Sequence, residues 1–289
     1  MERCGVKARD KRVGMTVGKL VRAKADMEKG KERHFVLVHG ACHGAWCWYK
    51  LIPLLKSQGH SVTALDLAAC GTHPKQVHEL SSFAEYVEPL MEFVGCLEAE
   101  QRVILVGHSM GGLCISMAMQ RFPHKIAAAV FVAAFLPSPH LSAVSLVHEY
   151  RRRLDSNMDS KIVYEEGPHA NGYLSFGPDF LASKLYNLSP AEDLSLALTL
   201  VRPTRLYGDE EVLARETEVT DDKFGSVATV YIVCEQDRVL KPEFQEWMIH
   251  KHPNAQHIKV VVSASDHMIM FSNPSRLNFE LHHIAATYY

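Results

Sequence analysis

Residues 103–112, Val-Ile-Leu-Val-Gly-His-Ser-Met-Gly-Gly, constrain the fold of this chain more tightly than any other segment. Val103 to Val106 are apolar and mostly β-branched, the composition of a strand buried on both faces. Gly107-His108-Ser109-Met110-Gly111 then fits G-x-S-x-G, and Leu113 to Gln120 is compatible with a helix. A strand that enters a helix through so tight a turn places Ser109 at the strained apex of a nucleophile elbow, its hydroxyl held above the sheet edge. Glycines flank it because a side chain there would collide with the neighbouring strand and helix. A serine that merely caps the helix is the alternative, and the flanks favour the nucleophile.

The rest of the chain repeats the alternation of apolar runs with helical patterns that marks a mostly parallel sheet covered on both faces. Strands are expected at His34 to Val38, Ser61 to Leu65, Ile126 to Phe135, Val227 to Cys234 and Ile258 to Val262. Helices are expected at Trp48 to Gln58, Phe83 to Val94 and Arg276 to Thr287. From Pro137 to about Asp222 prolines, charges and short helical pieces (Phe180 to Tyr186, Pro190 to Leu200) replace strands, as an inserted cap would. The domain reading is therefore a core of 27–136 and 222–289, a cap of 137–221 and an extension of 1–26.

At 289 residues, 47% hydrophobic and 22% charged, the chain can bury one substantial α/β core. A net charge of −2 gives no reason to expect nucleic acid or a charged membrane as partner. No apolar stretch reaches the roughly 18 residues of a membrane span. The seven cysteines are scattered and odd in number, without paired metal spacing, which reads as an intracellular, cytoplasmic thiol protein, and chemistry on a serine nucleophile needs no metal or organic cofactor. Residues 1–26 are basic, with eight lysines and arginines between Arg3 and Lys24, and have no apolar core of a secretory signal. They read as a disordered extension, with a plastid transit peptide as the alternative and Met27 as a second start.

A serine hydroxyl needs a base, and the base an orienting carboxylate. With a nucleophile elbow the chain order is Ser, Asp or Glu, then His, each after a strand. Glu235-Gln236-Asp237 follows the strand ending at Cys234, and Ser263-Ala264-Ser265-Asp266-His267 follows the strand ending at Val262. Asp237 is the expected acid, with Glu235 competing. His267, followed by the apolar run Met268 to Phe271, is the expected base; His108 beside the nucleophile reads as packing. The oxyanion donors are expected at the backbone N–H groups of Met110 and Ala41, the latter in the loop His39-Gly40-Ala41-Cys42-His43-Gly44. That loop lacks G-x-G-x-x-G and a P-loop lysine, so it is not a phosphate cradle.

These segments resemble the plant methylesterase and hydroxynitrile lyase family of α/β-hydrolases. The resemblance runs through His34 to Trp46, Val62 to Ala69, Val103 to Gly112, Ala129 to Phe135, Leu200 to Pro203 and Asp266 to Met268, and spans Arg33 to the C-terminus. It implies an α/β-hydrolase fold, the triad Ser109, Asp237 and His267, and a serine carboxylesterase acting on small methyl esters of plant hormones or metabolites. It also implies a homodimer and an aromatic pocket residue at Phe135. In the lyases a threonine follows the first-strand histidine and a lysine follows the catalytic histidine. Here Gly40 and Met268 stand at those substrate-facing positions, which points to ester hydrolysis rather than cyanide release. Cys70 replaces a usual serine, and the stretch from Leu136 to Gly177 looks shorter and carries no tryptophan. The last difference points away from methyl salicylate and leaves methyl jasmonate, methyl indole-acetate or another small ester. A non-catalytic binding protein on the same scaffold is the alternative of a different class.

Overall fold

The computed structural model describes residues 32–167, 171–252 and 258–288. The strands are β1 (His34–Val38), β2 (Ser61–Leu65), β3 (Val103–His108), β4 (Ile126–Val132), β5 (Lys161–Tyr164), β6 (Gly172–Ser175), β7 (Thr204–Leu206), β8 (Ala228–Cys234) and β9 (Ile258–Val262). Six of them form one sheet in the order β2-β1-β3-β4-β8-β9, and every pairing in it is parallel. The expected basic extension, residues 1–26, lies outside the described residues.

The period of two along each strand explains why the sheet needs cover on both faces. Val36 and Val38 of β1, Val103 and Leu105 of β3, and Tyr231 and Val233 of β8 enter one core with the helices Phe83–Gly95, Gly111–Arg121 and Pro242–Lys251. Phe35 and Leu37, Ile104 and Val106, and Val230 and Ile232 enter the opposite core. There they meet the helices Leu51–Ser57 and Pro274–Thr287. The chain leaves β1 toward β2 on one side and later returns to lay β3 on the other. The C-terminal ends of β1 and β3 therefore open a crevice where the strand order reverses, the place where α/β sheets bind ligands.

Several boundaries differ from the sequence reading. The stretch read as one helix from Trp48 divides into a 3₁₀ turn, Ala45–Trp48, and the helix Leu51–Ser57. The fourth strand ends at Val132 instead of Phe135, because Ala133 turns to φ 41° and the chain bends off the sheet. The larger correction falls between β4 and β8. Besides the helical pieces expected there, β5, β6 and β7 build a separate antiparallel sheet. Every residue of β5 is exposed, so Lys161-Ile162-Val163-Tyr164 shows no apolar–polar alternation, and β7 is only 3 residues long. Neither carries the periodic signal that identifies a strand. No helix among the described residues is long and apolar enough to cross a membrane.

Candidate active site

The G-x-S-x-G turn joins the last residue of β3 to the helix Gly111–Arg121. Ser109 sits at φ 54°, a left-handed conformation that costs a non-glycine residue about 1–3 kcal/mol. Ser109 N donates to Val132 O at 3.3 Å, and Ser109 O accepts from Gly112 N and Phe135 N, both at 3.0 Å. The flanking glycines answer close approach. A Cβ on Gly107 would lie 2.7 Å from Gly111 O, and one on Gly111 would lie 2.7 Å from both Val38 O and His39 O.

The two other expected stations converge on this turn. His267 Nδ1 lies 2.7 Å from Asp237 Oδ2, and both residues are buried. Because a carboxylate accepts, the proton sits on Nδ1 and Nε2 is left with a free lone pair. Burial pushes the Asp237 carboxyl upward in pKa. The hydrogen bond from His267 and the N–H groups of Val239 (2.7 Å) and Leu240 (2.9 Å) on Oδ1 oppose that push. Glu235, the competing acid, is exposed.

Ser109 and His267 share the wall of one cavity of about 560 Å³. Gly40, Ala41, Met110 and Phe135 line it too, and Phe135 is set edge-on to Tyr150 at 5.7 Å. Among the described residues the backbone N–H groups of Ala41 and Met110 have no protein acceptor, so two donors stand unused beside the nucleophile. The opposite wall comes from the segment between β4 and β8, through Val147, Leu154, Leu174, Phe176, Phe180 and Leu206. A mainly apolar chamber with a few convergent polar groups suits a small organic ester.

Met268 departs from expectation. It is fully buried in the core that holds Trp48 and Phe271 and does not line the cavity. Its backbone N–H donates to Asp266 Oδ1 at 3.0 Å, and this short return of the chain turns the side chain into the core.

Three supporting residues escaped the sequence reading or were undervalued by it. His108, read as packing, places Nε2 2.8 Å from His267 O, so its N–H holds the backbone of the histidine. Burial and the neighbouring His267 keep His108 well below the ordinary histidine pKa, hence neutral. Gln245, on the helix after β8, donates from Nε2 to Leu240 O at 2.6 Å and to Asp237 Oδ2 at 3.3 Å. Asp266 accepts from Leu188 N and Ser189 Oγ, tying the His267 loop to the segment above it. Only His108 had a local sequence signal, its place inside the elbow.

The six described cysteines are free thiols, five of them buried. Among the described residues no group of three or more His, Cys, Asp or Glu side chains could hold a metal ion.

A profile described as the alpha/beta hydrolase family matches residues 35–279. Methyl jasmonate esterase 1 of Vitis vinifera is 50% identical over 264 residues, covering 91% of this chain and 100% of that protein. Salicylic acid-binding protein 2 of Nicotiana tabacum is 44% identical, with 91% and 100% covered. Among solved structures, tomato methylketone synthase I complexed with 2-tridecanone superposes with a TM-score of 0.84 at 44% identity, covering 89% of this chain and 99% of that one.

Proposed function

This chain belongs to the alpha/beta hydrolase family, in its plant methylesterase branch, and from that premise we propose that it hydrolyses small methyl esters through an acyl-enzyme on Ser109. The observation that carries the proposal is the His267–Asp237 pair at 2.7 Å, with His267 on the same cavity wall as a serine on a strained elbow. Ser109 Oγ attacks the ester carbonyl carbon while His267 Nε2 takes its proton. The carbonyl oxygen becomes an oxyanion and is received by the N–H groups of Ala41 and Met110. Collapse of this intermediate breaks the bond to the methoxy oxygen, and His267 returns the proton so that methanol leaves. Water, deprotonated by the same nitrogen, then attacks the acyl carbon and frees the acid with Ser109 restored.

Asp237 keeps the His267 proton on Nδ1 throughout, so the lone pair on the far nitrogen stays available. The segment 137–221 acts as the cap that grips the acyl group, because it supplies the apolar wall facing Ser109. Gly40 lets the oxyanion loop approach Ser109 closely, since a Cβ there would lie 2.7 Å from Ser109 Cβ. The 50% identity to a methyl jasmonate esterase supports methyl jasmonate as the first ester to test.

A panel of methyl jasmonate, methyl indole-acetate, methyl salicylate and p-nitrophenyl acetate tests the reading, with release of free acid and methanol measured for each methyl ester. Turnover of at least one methyl ester, abolished by Ser109→Ala, is the expected result. A folded protein that binds these esters but turns over none of them is a binding protein, and the proposal then fails.

A further inference from the structure

The loop that carries the Ala41 donor is pinned at three successive carbonyls. His39 Nδ1 lies 2.8 Å from Gly40 O, while His39 Nε2 accepts from Leu67 N at 3.1 Å. His43 Nδ1 lies 2.8 Å from Ala41 O. Arg202 N, from the segment above the sheet, donates to Cys42 O at 3.0 Å. A carbonyl can only accept, so both histidines carry their proton on Nδ1. The second nitrogen of His43 must then accept, and the Tyr186 hydroxyl stands 2.7 Å from it. His43 lies between the rings of Trp46 and Tyr186, at centroid distances of 5.2 and 6.0 Å. Burial holds its pKa down to about 3, so the ring stays neutral in ordinary buffers.

We propose that Tyr186 and His43 are positioning residues for the oxyanion donor, the tyrosine reinforcing the histidine tautomer that locks the Ala41 peptide. Peptide units are planar and trans, so pinning Gly40 O and Ala41 O fixes both planes that meet at Ala41. The Ala41 N–H, opposite Gly40 O in its own plane, is then held toward the cavity. The Tyr186 O–H donates to His43 Nε2 and so keeps the proton on Nδ1, where it serves Ala41 O. Without that hydroxyl the Nδ1 form loses one of its two supports, the balance shifts toward Nε2, and Ala41 O is served by its donor for less of the time. Tyr186 does not line the cavity, so its effect on the reaction passes through His43.

The kinetic part of this inference rests on the ester-hydrolysis reading; the tautomer does not. Tyr186→Phe removes one oxygen from a buried, stacked ring and leaves the packing in place. Nitrogen NMR of the full chain labelled at histidine is expected to show His43 with its proton on Nδ1, and a shift toward the Nε2 form in Tyr186→Phe. With p-nitrophenyl acetate, Tyr186→Phe is expected to lower kcat about tenfold at nearly constant KM, a fraction of the 10²–10³ of a lost oxyanion donor. Affinity for a trifluoromethyl ketone, whose serine adduct puts an oxyanion in the hole, falls by the same factor. In His43→Asn the amide nitrogen replaces Nδ1 and retains most of kcat, whereas His43→Leu does not, and adding Tyr186→Phe to His43→Asn has no further effect. An unchanged tautomer in Tyr186→Phe, a kcat within twofold of the parent, or a loss confined to KM overturns the proposal. If the parent hydrolyses no ester, the esterase reading fails and the tautomer measurement alone decides the relay.

Discussion

Replacing Asp237 by Asn should stop the reaction for a reason written into its surroundings. Asp237 Oδ1 accepts from Val239 N at 2.7 Å and Leu240 N at 2.9 Å. In Asp237→Asn those two donors claim the amide oxygen, so the NH₂ group must take the place of Oδ2, which faces His267 Nδ1. The amide then donates to Nδ1 and forces the histidine proton onto Nε2, the nitrogen that has to receive the Ser109 proton. The same exchange in another serine hydrolase lowers kcat by about 10⁴, equivalent to about 5.5 kcal/mol of transition-state stabilisation. Gln245 Nε2, 3.3 Å from Oδ2, then faces a second donor but keeps Leu240 O (2.6 Å) and Cys234 O (3.4 Å) as acceptors, so stability is expected to fall by no more than about 1 kcal/mol. Steady-state kinetics with p-nitrophenyl acetate, with a thermal melt alongside, reads both effects. A folded Asp237→Asn protein that keeps a tenth or more of kcat refutes the reasoning, and so does Glu235→Gln if it is the more damaging change.

Gly40→Ala places a Cβ 2.7 Å from Ser109 Cβ and 3.1 Å from His108 Nδ1, which must displace the nucleophile; a fall in kcat of about a hundredfold is expected, and activity within threefold of the parent contradicts it. Stability is expected to fall with acid, because burial lowers the pKa of His39, His43 and His108 in the folded chain. Unfolded, these rings bind protons near pH 6.5, so their contribution is fully present above that pH and is lost below it, at up to about 1.4 kcal/mol per pH unit for each until its folded pKa is reached. Calorimetry from pH 7.5 to 5 should show a falling Tm with proton uptake on unfolding, and a flat or rising Tm counts against the assignment. Met268→Lys buries an unpaired ammonium in the core and is expected to lower stability by several kcal/mol without creating cyanide release from mandelonitrile, measured by melt and by cyanide assay.

The parts of this account legible in the sequence are those whose signal is local. Val103 to Val106 is apolar on both faces, and G-x-S-x-G follows without a gap, so strand, turn and Ser109 could be read together. Asp237 and His267 are legible as candidates because each follows a strand in a fixed order, and the structure pairs them at 2.7 Å. Contacts between distant segments left no such trace. His43 and Tyr186 are separated by 143 positions, and neither has a neighbour that announces the other. Gln245 looks like any polar residue on a helix until the turn after β8 brings Leu240 O against it. The inward turn of Met268 follows from its N–H bonding back to Asp266, a bend shorter than any periodic pattern. The sheet of β5, β6 and β7 was missed for the opposite reason. Its outer strand is exposed throughout, so burial imposed no pattern on its sequence.

The central claim is that Ser109 is the activated nucleophile of an esterase, and covalent trapping tests it most directly. The folded full chain would be treated with a fluorophosphonate at neutral pH, digested and mapped by mass spectrometry, with Ser109→Ala and Asp237→Asn proteins treated in parallel. The account predicts one adduct per chain, on Ser109, formed in step with loss of methyl-ester hydrolysis. It also predicts no adduct in Ser109→Ala and greatly slowed labelling in Asp237→Asn. An unmodified Ser109 in folded, ester-hydrolysing protein, or an adduct on another serine that tracks the loss of activity, would contradict it.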